Sequence, residues 1–293
     1  MADTAGFVFV HGAWHNHHTW DEVVRRLQAR GLVTHAFDLP GAGINAKQPQ
    51  SYFKRPLDKD AFASEPSPNA GVTQAERTEA VIKAVREMAA RISAKDNNGK
   101  VILVGHSLGG ATLAQVAEAV PELLAASVFV CAFMLPPGMK LIEMMKDPLM
   151  ADALVPSLFA NDPPVIGAMR VDFASTDPEY REHIRQAYCG DLNDAMFERS
   201  LSHLHCDEPA QVTIEPSPVT RERFGAVPRH YVHCTLDRAV TPAGQQKMIS
   251  MMDEAMGSKT VVHTLEASHS PFDSQPDALA DILAAIATDE KMA

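Results

Sequence analysis

The sequence has little basic charge and no long hydrophobic run. Its 293 residues carry 26 Lys and Arg against 37 Asp and Glu, a net charge of −11. No basic stripe is left to meet phosphates, so nucleic acid and anionic membrane surfaces are disfavoured as partners. No apolar stretch approaches the ~20 residues of a membrane-spanning helix. A core-like strand begins at Phe7, without a basic and then apolar leader, so we expect no targeting segment.

Cysteine is also scarce. The four cysteines lie far apart and form no C-x-x-C pair: Cys131, Cys189, Cys206 and Cys234. This usage favours buried, reduced thiols over a disulfide framework. We therefore expect a cytoplasmic protein.

Strand-like and helix-like segments alternate along the chain. Short, mostly apolar strands are predicted at 7–11, 33–38, 101–105, 127–131, 230–235 and 260–265. Helices are predicted at 20–30, 74–93, 108–120, 243–256 and 277–288, the second opened by a capping box from Thr73 to Glu76. This alternation predicts an α/β fold, with a mostly parallel sheet covered by helices on both faces.

Two segments break the alternation. Residues 40–72 are rich in Pro, Lys, Asp and Ser and form a long connection, yet Tyr52, Phe53 and Phe62 favour packing. Residues 135–225 contain short helix-like pieces between Pro-rich turns. We interpret 135–225 as a helical cap inserted into a core made of residues 1–134 and 226–293.

One motif points to chemistry. Gly105-His106-Ser107-Leu108-Gly109 lies between the apolar run from Val101 and a helix-like segment. A Gly-x-Ser-x-Gly turn between strand and helix is a nucleophile elbow, which presents the serine hydroxyl above the sheet. Gly105 and Gly109 are expected because a side chain there would collide across the tight turn, and we interpret His106 as structural.

A serine nucleophile needs a base, and the base needs an orienting acid, in the chain order Ser, Asp or Glu, His. His269 follows the last predicted strand, and Asp237 follows the strand before it. Loops at these strand ends meet above the carboxyl edge of the sheet, where Ser107 is expected. Asp273 is the rival acid, but it is too close to His269 in the chain to reach it from the far side.

The oxyanion of an acyl-transfer intermediate needs two backbone donors. Leu108, after the nucleophile, and Ala13, in the loop after the first strand, are the candidates, and Gly12 permits close approach of the backbone. The same loop contains His11, His15, His17 and His18, which leaves a zinc site as a minor alternative without acidic or thiol partners. Gly41-x-Gly43 lacks the rest of a dinucleotide motif. We expect no metal and no cofactor.

These motifs together resemble the α/β-hydrolase superfamily: residues 7–14, 37–43, 105–110 and 131–136, with Asp237 and His269. Within it the chain is similar to the branch of plant methylesterases, hydroxynitrile lyases and pyrethroid-type carboxylesterases. The resemblance covers nearly the whole chain and is weakest over 48–72, which looks like an insertion. It implies the triad Ser107–Asp237–His269, the oxyanion hole of Ala13 and Leu108, and a small cap.

The sequence therefore predicts a serine carboxylesterase that hydrolyses a small to medium apolar ester through an acyl-enzyme. Five residues are candidates for the apolar substrate pocket: Trp14, Phe133, Met134, Phe159 and Tyr188. Lyases of this branch carry Thr, Cys and Lys where Gly12, Leu108 and Ser270 stand, which favours the esterase. A lyase, a cofactor-free dioxygenase and a small-molecule receptor remain alternatives. The 48–72 insertion is expected to narrow the pocket or to form a homodimer contact.

Overall fold

A central sheet of six parallel strands organises the molecule. The computed structural model describes residues 6–93 and 99–289, so the ends of the predicted core, 1–5 and 290–293, lie outside the described residues. The strands of the central sheet are β1 Gly6–Val10, β2 Val33–Ala36, β3 Val101–His106, β4 Leu124–Val130, β7 Arg229–Cys234 and β8 Val261–Leu265; the two strands between β4 and β7 in the chain form a second sheet, described below. The spatial order in the central sheet is β2-β1-β3-β4-β7-β8. The predicted parallel sheet is confirmed.

Helices cover both faces of this sheet. In chain order the α-helices of the described residues are α1 Asp21–Ala29, α2 Lys59–Ser64, α3 Gln74–Ser93, α4 Gly109–Ala119, α5 Leu141–Met145, α6 Pro163–Ile166, α7 Pro178–Tyr188, α8 Asp194–Ser202, α9 Pro242–Met256, α10 Pro271–Ser274 and α11 Pro276–Asp289. The 3₁₀ turns are His17–Trp20, Gly43–Asn45, Gln50–Phe53, Pro121–Leu123, Pro148–Met150, Val155–Leu158, Ala210–Thr213 and Phe224–Ala226. The capping box forms at α3, where Thr73 N donates to Glu76 Oε2 at 2.8 Å. Within the described ranges, no helix is both long and apolar enough to cross a membrane.

The apolar core has two layers, one on each face of the sheet, because successive side chains of a strand alternate between the faces. On β1, Phe7 and Phe9 pack with α1 and α11, whereas Val8 and Val10 pack with α3 and α4. Successive side chains of a strand point to opposite faces, so a fully apolar strand supplies both layers. The four central strands are almost entirely buried, but the edge strands β2 and β8 are partly exposed.

The segment 135–225 holds helices α5 to α8 and an element that its sequence did not suggest. Strands β5 Ala168–Arg170 and β6 Asp207–Pro209 pair antiparallel in a second, two-stranded sheet. The pattern of these three-residue strands is too short to detect from sequence. The division into core and cap stays a prediction.

The 40–72 connection folds against that small sheet. Phe62 is fully buried, and the guanidinium of Arg170 lies 5.1 Å from the centre of its ring. Arg170 Nη1 also donates to the Glu65 carbonyl at 2.8 Å. Phe53, by contrast, is 66% exposed, so only part of the expected packing is present.

Candidate active site

Ser107 occupies the sharp turn between β3 and α4. Its φ of +52° lies in the left-handed region, which side chains rarely adopt and which neighbouring structure must enforce. Here Ser107 N donates to the Val130 carbonyl at 3.2 Å, and the Ser107 carbonyl accepts from Phe133 N at 3.0 Å. Both partners belong to β4 or the loop after it, so the neighbouring strand holds the turn.

A side chain at either glycine of the turn would collide with neighbouring atoms. A Cβ at Gly109 would lie 2.5 Å from the His11 carbonyl oxygen, and one at Gly105 would lie 3.0 Å from Leu113 Cδ1. A Cβ at Gly12 would approach Ser107 Cβ to 2.8 Å. The loop after β1 therefore touches the elbow directly.

His269 joins Ser107 to Asp237. Ser107 Oγ lies 2.9 Å from His269 Nε2, and His269 Nδ1 lies 2.8 Å from Asp237 Oδ2. His269 and Asp237 follow β8 and β7, and both are almost fully buried. Asp273, the rival acid, instead lines a separate crevice with Arg199 and His203. The order and spacing suit an alcohol nucleophile, a base and an orienting carboxylate.

The Asp237 carboxylate has further donors. Its Oδ1 accepts from Ala239 N at 2.7 Å and from Val240 N at 2.9 Å, while Oδ2 accepts from Gln245 Nε2 at 3.1 Å. Such charge-assisted hydrogen bonds stabilise a buried carboxylate. Gln245 lies on α9, eight residues beyond Asp237, and no motif marked it in the sequence.

His106 holds the backbone of His269. Its Nε2 lies 2.9 Å from the His269 carbonyl oxygen, the geometry of a ring N–H donating to that carbonyl. Burial lowers the pKa of His106 well below its usual range, so the ring is neutral. His106, the residue before Ser107, thus holds the backbone of His269, whose ring faces Ser107 Oγ.

Ala13 and Leu108 lie beside Ser107 and His269 on the wall of one cavity. Within the part of the chain that the structure describes, no hydrogen bond takes up the backbone N–H of either residue. His11 shapes the loop that carries Ala13, because its Nε2 accepts from Leu39 N at 3.2 Å. Two free donors next to a nucleophile are what a developing oxyanion requires.

The cavity is narrow and mostly apolar. Its void measures about 480 Å³ including the open mouth. Three of the five candidate pocket residues, Trp14, Phe133 and Tyr188, line this cavity. Sequence reasoning missed several further lining residues, because they come from separate turns of 135–225 and from the Asp237 loop: Leu141, Met145, Met150, Val155, Met169 and Val240.

Two predicted pocket residues lie elsewhere. Met134 is fully buried in the core layer with α3 and α4, on the opposite side of the chain from its neighbour Phe133. Phe159 packs outside Trp14, with ring centres 6.2 Å apart, and lines a second cavity with Arg55 and Phe62. That second cavity includes part of the 48–72 insertion.

The histidines after β1 do not converge on one point. His17 Nδ1 lies 2.7 Å from Asp38 and His18 Nδ1 lies 2.8 Å from Asp21, whereas burial lowers the pKa of His11 to about 3 and of His15 to about 4. One group of ligand-type atoms within 4.8 Å occurs among the described residues: His106, Cys131 and His269. Both His269 nitrogens in it already face Asp237 and Ser107. All four cysteines are buried and free.

Comparison with known proteins decides the family. The model of the alpha/beta hydrolase family matches residues 7–282. The chain belongs to this family. It is 28% identical to Methylesterase 7 and 26% identical to Methylesterase 2, both of Arabidopsis thaliana; each alignment covers 96% of this chain and 95% of the relative. The predicted resemblance to the α/β-hydrolase superfamily, in the branch that includes plant methylesterases, is thereby confirmed.

Solved structures share its fold. A pyrethroid hydrolase from Sphingobium faniae superposes with a TM-score of 0.73 at 23% identity, over 97% of this chain and 98% of that one. Polyneuridine aldehyde esterase gives a TM-score of 0.67 at 21% identity, over 97% and 99%. The α/β-hydrolase fold predicted from the sequence is confirmed by these neighbours.

Proposed function

We propose that this α/β-hydrolase is a serine carboxylesterase that cleaves a small to medium apolar ester. The observation that carries the proposal is the hydrogen-bond distance of 2.9 Å from Ser107 Oγ to the His269 ring, together with that of 2.8 Å from this ring to the Asp237 carboxylate. The likeness to enzymes named methylesterases supports the same reaction class.

The chemistry follows from this arrangement. His269 Nε2 takes the proton of Ser107 as its oxygen attacks the ester carbonyl, and Asp237 stabilises the imidazolium that forms. The N–H groups of Ala13 and Leu108 donate to the oxyanion. His269 then protonates the leaving alcohol and later activates a water molecule that releases the acid from Ser107.

The cavity favours an apolar substrate of modest size. Its walls are dominated by aliphatic side chains, with Met145, Met150 and Met169 among them. Methionine side chains adapt readily to a guest, so the narrow space can widen when an ester enters. The negative net charge of the protein disfavours polyanionic substrates.

Release of p-nitrophenol from acetate, butyrate and octanoate esters tests the proposal. We expect steady turnover by the wild type and a loss of at least about 10³-fold in Ser107→Ala. Ser127→Ala is the matched control, because Ser127 is also buried, on β4, and its hydroxyl makes only a 3.4 Å contact with the Pro228 carbonyl. This control should stay within about twofold of the wild type.

The remaining outcomes separate the alternatives. Wild-type protein that is folded yet releases no p-nitrophenol would contradict the esterase proposal. Cyanide release would then favour the lyase, oxygen consumption with carbon monoxide the dioxygenase, and tight retention of ligand without turnover the receptor. Full activity in Ser107→Ala would contradict the assigned nucleophile.

A further inference from the structure

Trp14 follows the candidate oxyanion donor Ala13 and adopts an unfavourable backbone conformation. Its φ is +60°, and it is almost fully buried. A bulky residue in the left-handed region persists only where its surroundings impose that conformation. The contacts of Trp14 therefore act on the peptide next to the one that carries the Ala13 N–H. The carbonyl of that second peptide, at Gly12, also accepts from His11 Nδ1 at 2.9 Å and from His15 N at 3.4 Å.

Three hydrogen bonds hold Trp14, and all of them reach residues between 169 and 208. Trp14 N donates to Glu208 Oε2 at 3.0 Å. The indole Nε1 donates to the Met169 carbonyl at 2.9 Å, and the Trp14 carbonyl accepts from His205 N at 3.1 Å. The small sheet of β5 and β6 thus holds the loop after β1 from above.

Glu208 is an unusual partner because it is a fully buried charge. Arg77 of α3, itself almost fully buried, donates from Nη1 to Glu208 Oε1 and from Nε to the Pro40 carbonyl. His205 Nε2 lies 4.0 Å from Glu208, and burial lowers the pKa of His205 well below its usual range. Arg77 is therefore the cation that balances Glu208.

A buried ion pair is a weak source of stability, since removing both charges from water offsets much of their attraction. Its value here lies in geometry. The carboxylate divides its oxygens between two donors, the Arg77 guanidinium and the Trp14 N–H. A fixed charge on β6 is thereby connected directly to the residue beside Ala13.

We propose that Glu208, held by Arg77, is a positioning residue for the oxyanion hole. By binding Trp14 N, Glu208 fixes the preceding peptide so that Ala13 N–H points into the cavity. Glu208 does not touch the substrate. The inference rests on the proposed esterase function and adds to it two residues that no motif contains.

The first test is Glu208→Gln with esters of p-nitrophenol. The amide has one accepting oxygen, so its NH₂ group must face either Arg77 or the Trp14 N–H, and the charged donor retains the oxygen. We expect kcat to fall about 10- to 100-fold with KM within about threefold, since the loss occurs in the transition state. Inhibition by a trifluoromethyl ketone, which forms an oxyanion on Ser107, should weaken by the same factor.

Asp207→Asn is the matched control. Asp207 is the neighbouring residue on β6, equally buried, and its two oxygens accept from Arg170 Nε at 2.6 Å and Nη2 at 2.7 Å. In Asp207→Asn, too, one amide oxygen must replace two carboxylate oxygens that accept from Arg170. However, no hydrogen bond among the described residues joins Asp207 to the loop 11–16. Its kcat should stay within about twofold of the wild type.

Two double variants test the proposal even if Glu208→Gln does not fold. Glu208→Gln with Arg77→Met leaves an amide oxygen free for Trp14 N, whereas Glu208→Leu with Arg77→Met offers no acceptor. Neither retains an unpaired buried charge. We expect kcat of the second to be at least about tenfold below that of the first.

The outcomes are distinct. Equal kcat in Glu208→Gln and Asp207→Asn, or in the two double variants, would overturn the positioning role while the esterase function stands. Lack of Ser107-dependent turnover in the wild type would overturn the proposed function, and the inference that rests on it.

Discussion

Gln245 donates from Nε2 to Asp237 Oδ2 at 3.1 Å, the same carboxylate oxygen that lies 2.8 Å from His269 Nδ1. The rest of this buried amide is also occupied. Gln245 Oε1 accepts from Cys234 N at 3.1 Å, and Nε2 reaches the Val240 carbonyl at 2.7 Å. One side chain of α9 therefore connects the end of β7 to the loop that carries Asp237.

Replacing Gln245 with Met should lower both stability and activity. The substitution leaves several buried polar groups without partners, at about 1–3 kcal/mol each, so we expect the free energy of unfolding to drop by about 3 kcal/mol. kcat should drop about tenfold because Asp237 loses a donor. Urea unfolding and p-nitrophenyl butyrate hydrolysis measure the two effects.

Gln246→Met is the control for that change. Gln246 is the exposed neighbour and makes only a 3.5 Å contact with His233 Nε2. Its unfolding free energy should stay within about 0.5 kcal/mol of the wild type. Equal effects of the two substitutions would contradict the role given to the Gln245 amide.

The two glycines of the elbow should respond differently to alanine. At Gly109 the added Cβ meets the His11 carbonyl oxygen at 2.5 Å. At Gly105 its contacts are longer, 3.0 Å to Leu113 Cδ1 and 3.2 Å to the Gly109 carbonyl oxygen. A side chain can move aside, but the backbone of the His11 loop cannot. We expect Gly109→Ala to lower the unfolding free energy by about 3 kcal/mol or more, and Gly105→Ala by about 1 kcal/mol. Comparable urea midpoints would refute this distinction.

The largely buried carboxyl of Asp273 should make stability depend on pH. Burial raises its pKa from 3.8 to about 6, partly opposed by a hydrogen bond from Ser200 and by Arg199. Between these values the folded state binds more protons than the unfolded state, so Asp273 lowers stability as pH rises from 4 to 6. Roughly two pKa units correspond to about 3 kcal/mol as an upper bound.

Asp273→Asn should remove that dependence. The unfolding free energy of the variant minus that of the wild type should grow as pH rises from 4 to 6 and then level off. Urea unfolding at four pH values measures this difference, in which unrelated carboxyl groups cancel. A difference that does not change between pH 4 and 7 would argue against a raised pKa.

Tyr188 and Tyr180 offer a second matched pair. The Tyr188 hydroxyl is buried and has no hydrogen-bond partner among the described residues, whereas the Tyr180 hydroxyl donates to the Leu158 carbonyl at 2.6 Å. We expect Tyr188→Phe to raise the unfolding free energy by up to about 1 kcal/mol, and Tyr180→Phe to lower it by about 1 kcal/mol.

Tyr188→Phe also tests whether the Tyr188 hydroxyl contacts the substrate. Unsubstituted p-nitrophenyl esters should be hydrolysed by Tyr188→Phe within about twofold of the wild-type rate, because an apolar acyl chain cannot pair with the hydroxyl. A large loss of rate on these esters would show that Tyr188 contacts the reacting group itself.

The parts of the site that follow strands could be predicted from sequence. Ser107, Asp237 and His269 each come after an apolar run, and parallel strands bring those positions to one edge of the sheet. The end of β2 could not be predicted in this way. The strand stops at Ala36 and not at residue 38, where the Asp38 carboxylate accepts from His17 N and Ile44 N. Local polar contacts of this kind leave no periodic signal.

The parts that depend on distant contacts could not be predicted. Glu208 and Arg77 are 131 residues apart, and their pairing depends on where the small sheet settles above the loop after β1. Met134 shows that the direction of a side chain could not be predicted even within one short segment. Phe133 and Met134 are both apolar and adjacent, and only the direction of the backbone after β4 sends one into the cavity and the other into the core.

Three residues other than glycine have positive φ within the described ranges, and all three follow neighbouring strands: Trp14 after β1, Ser107 after β3 and Cys131 after β4. Such backbones cost on the order of 1 kcal/mol or more each. Substitutions that remove these positive-φ conformations from the carboxyl edge of the sheet would therefore raise thermal stability. The same substitutions would lower turnover, because the candidate site lies at this edge. A thermostable version should instead be sought through substitutions on the helical faces, with this edge held constant.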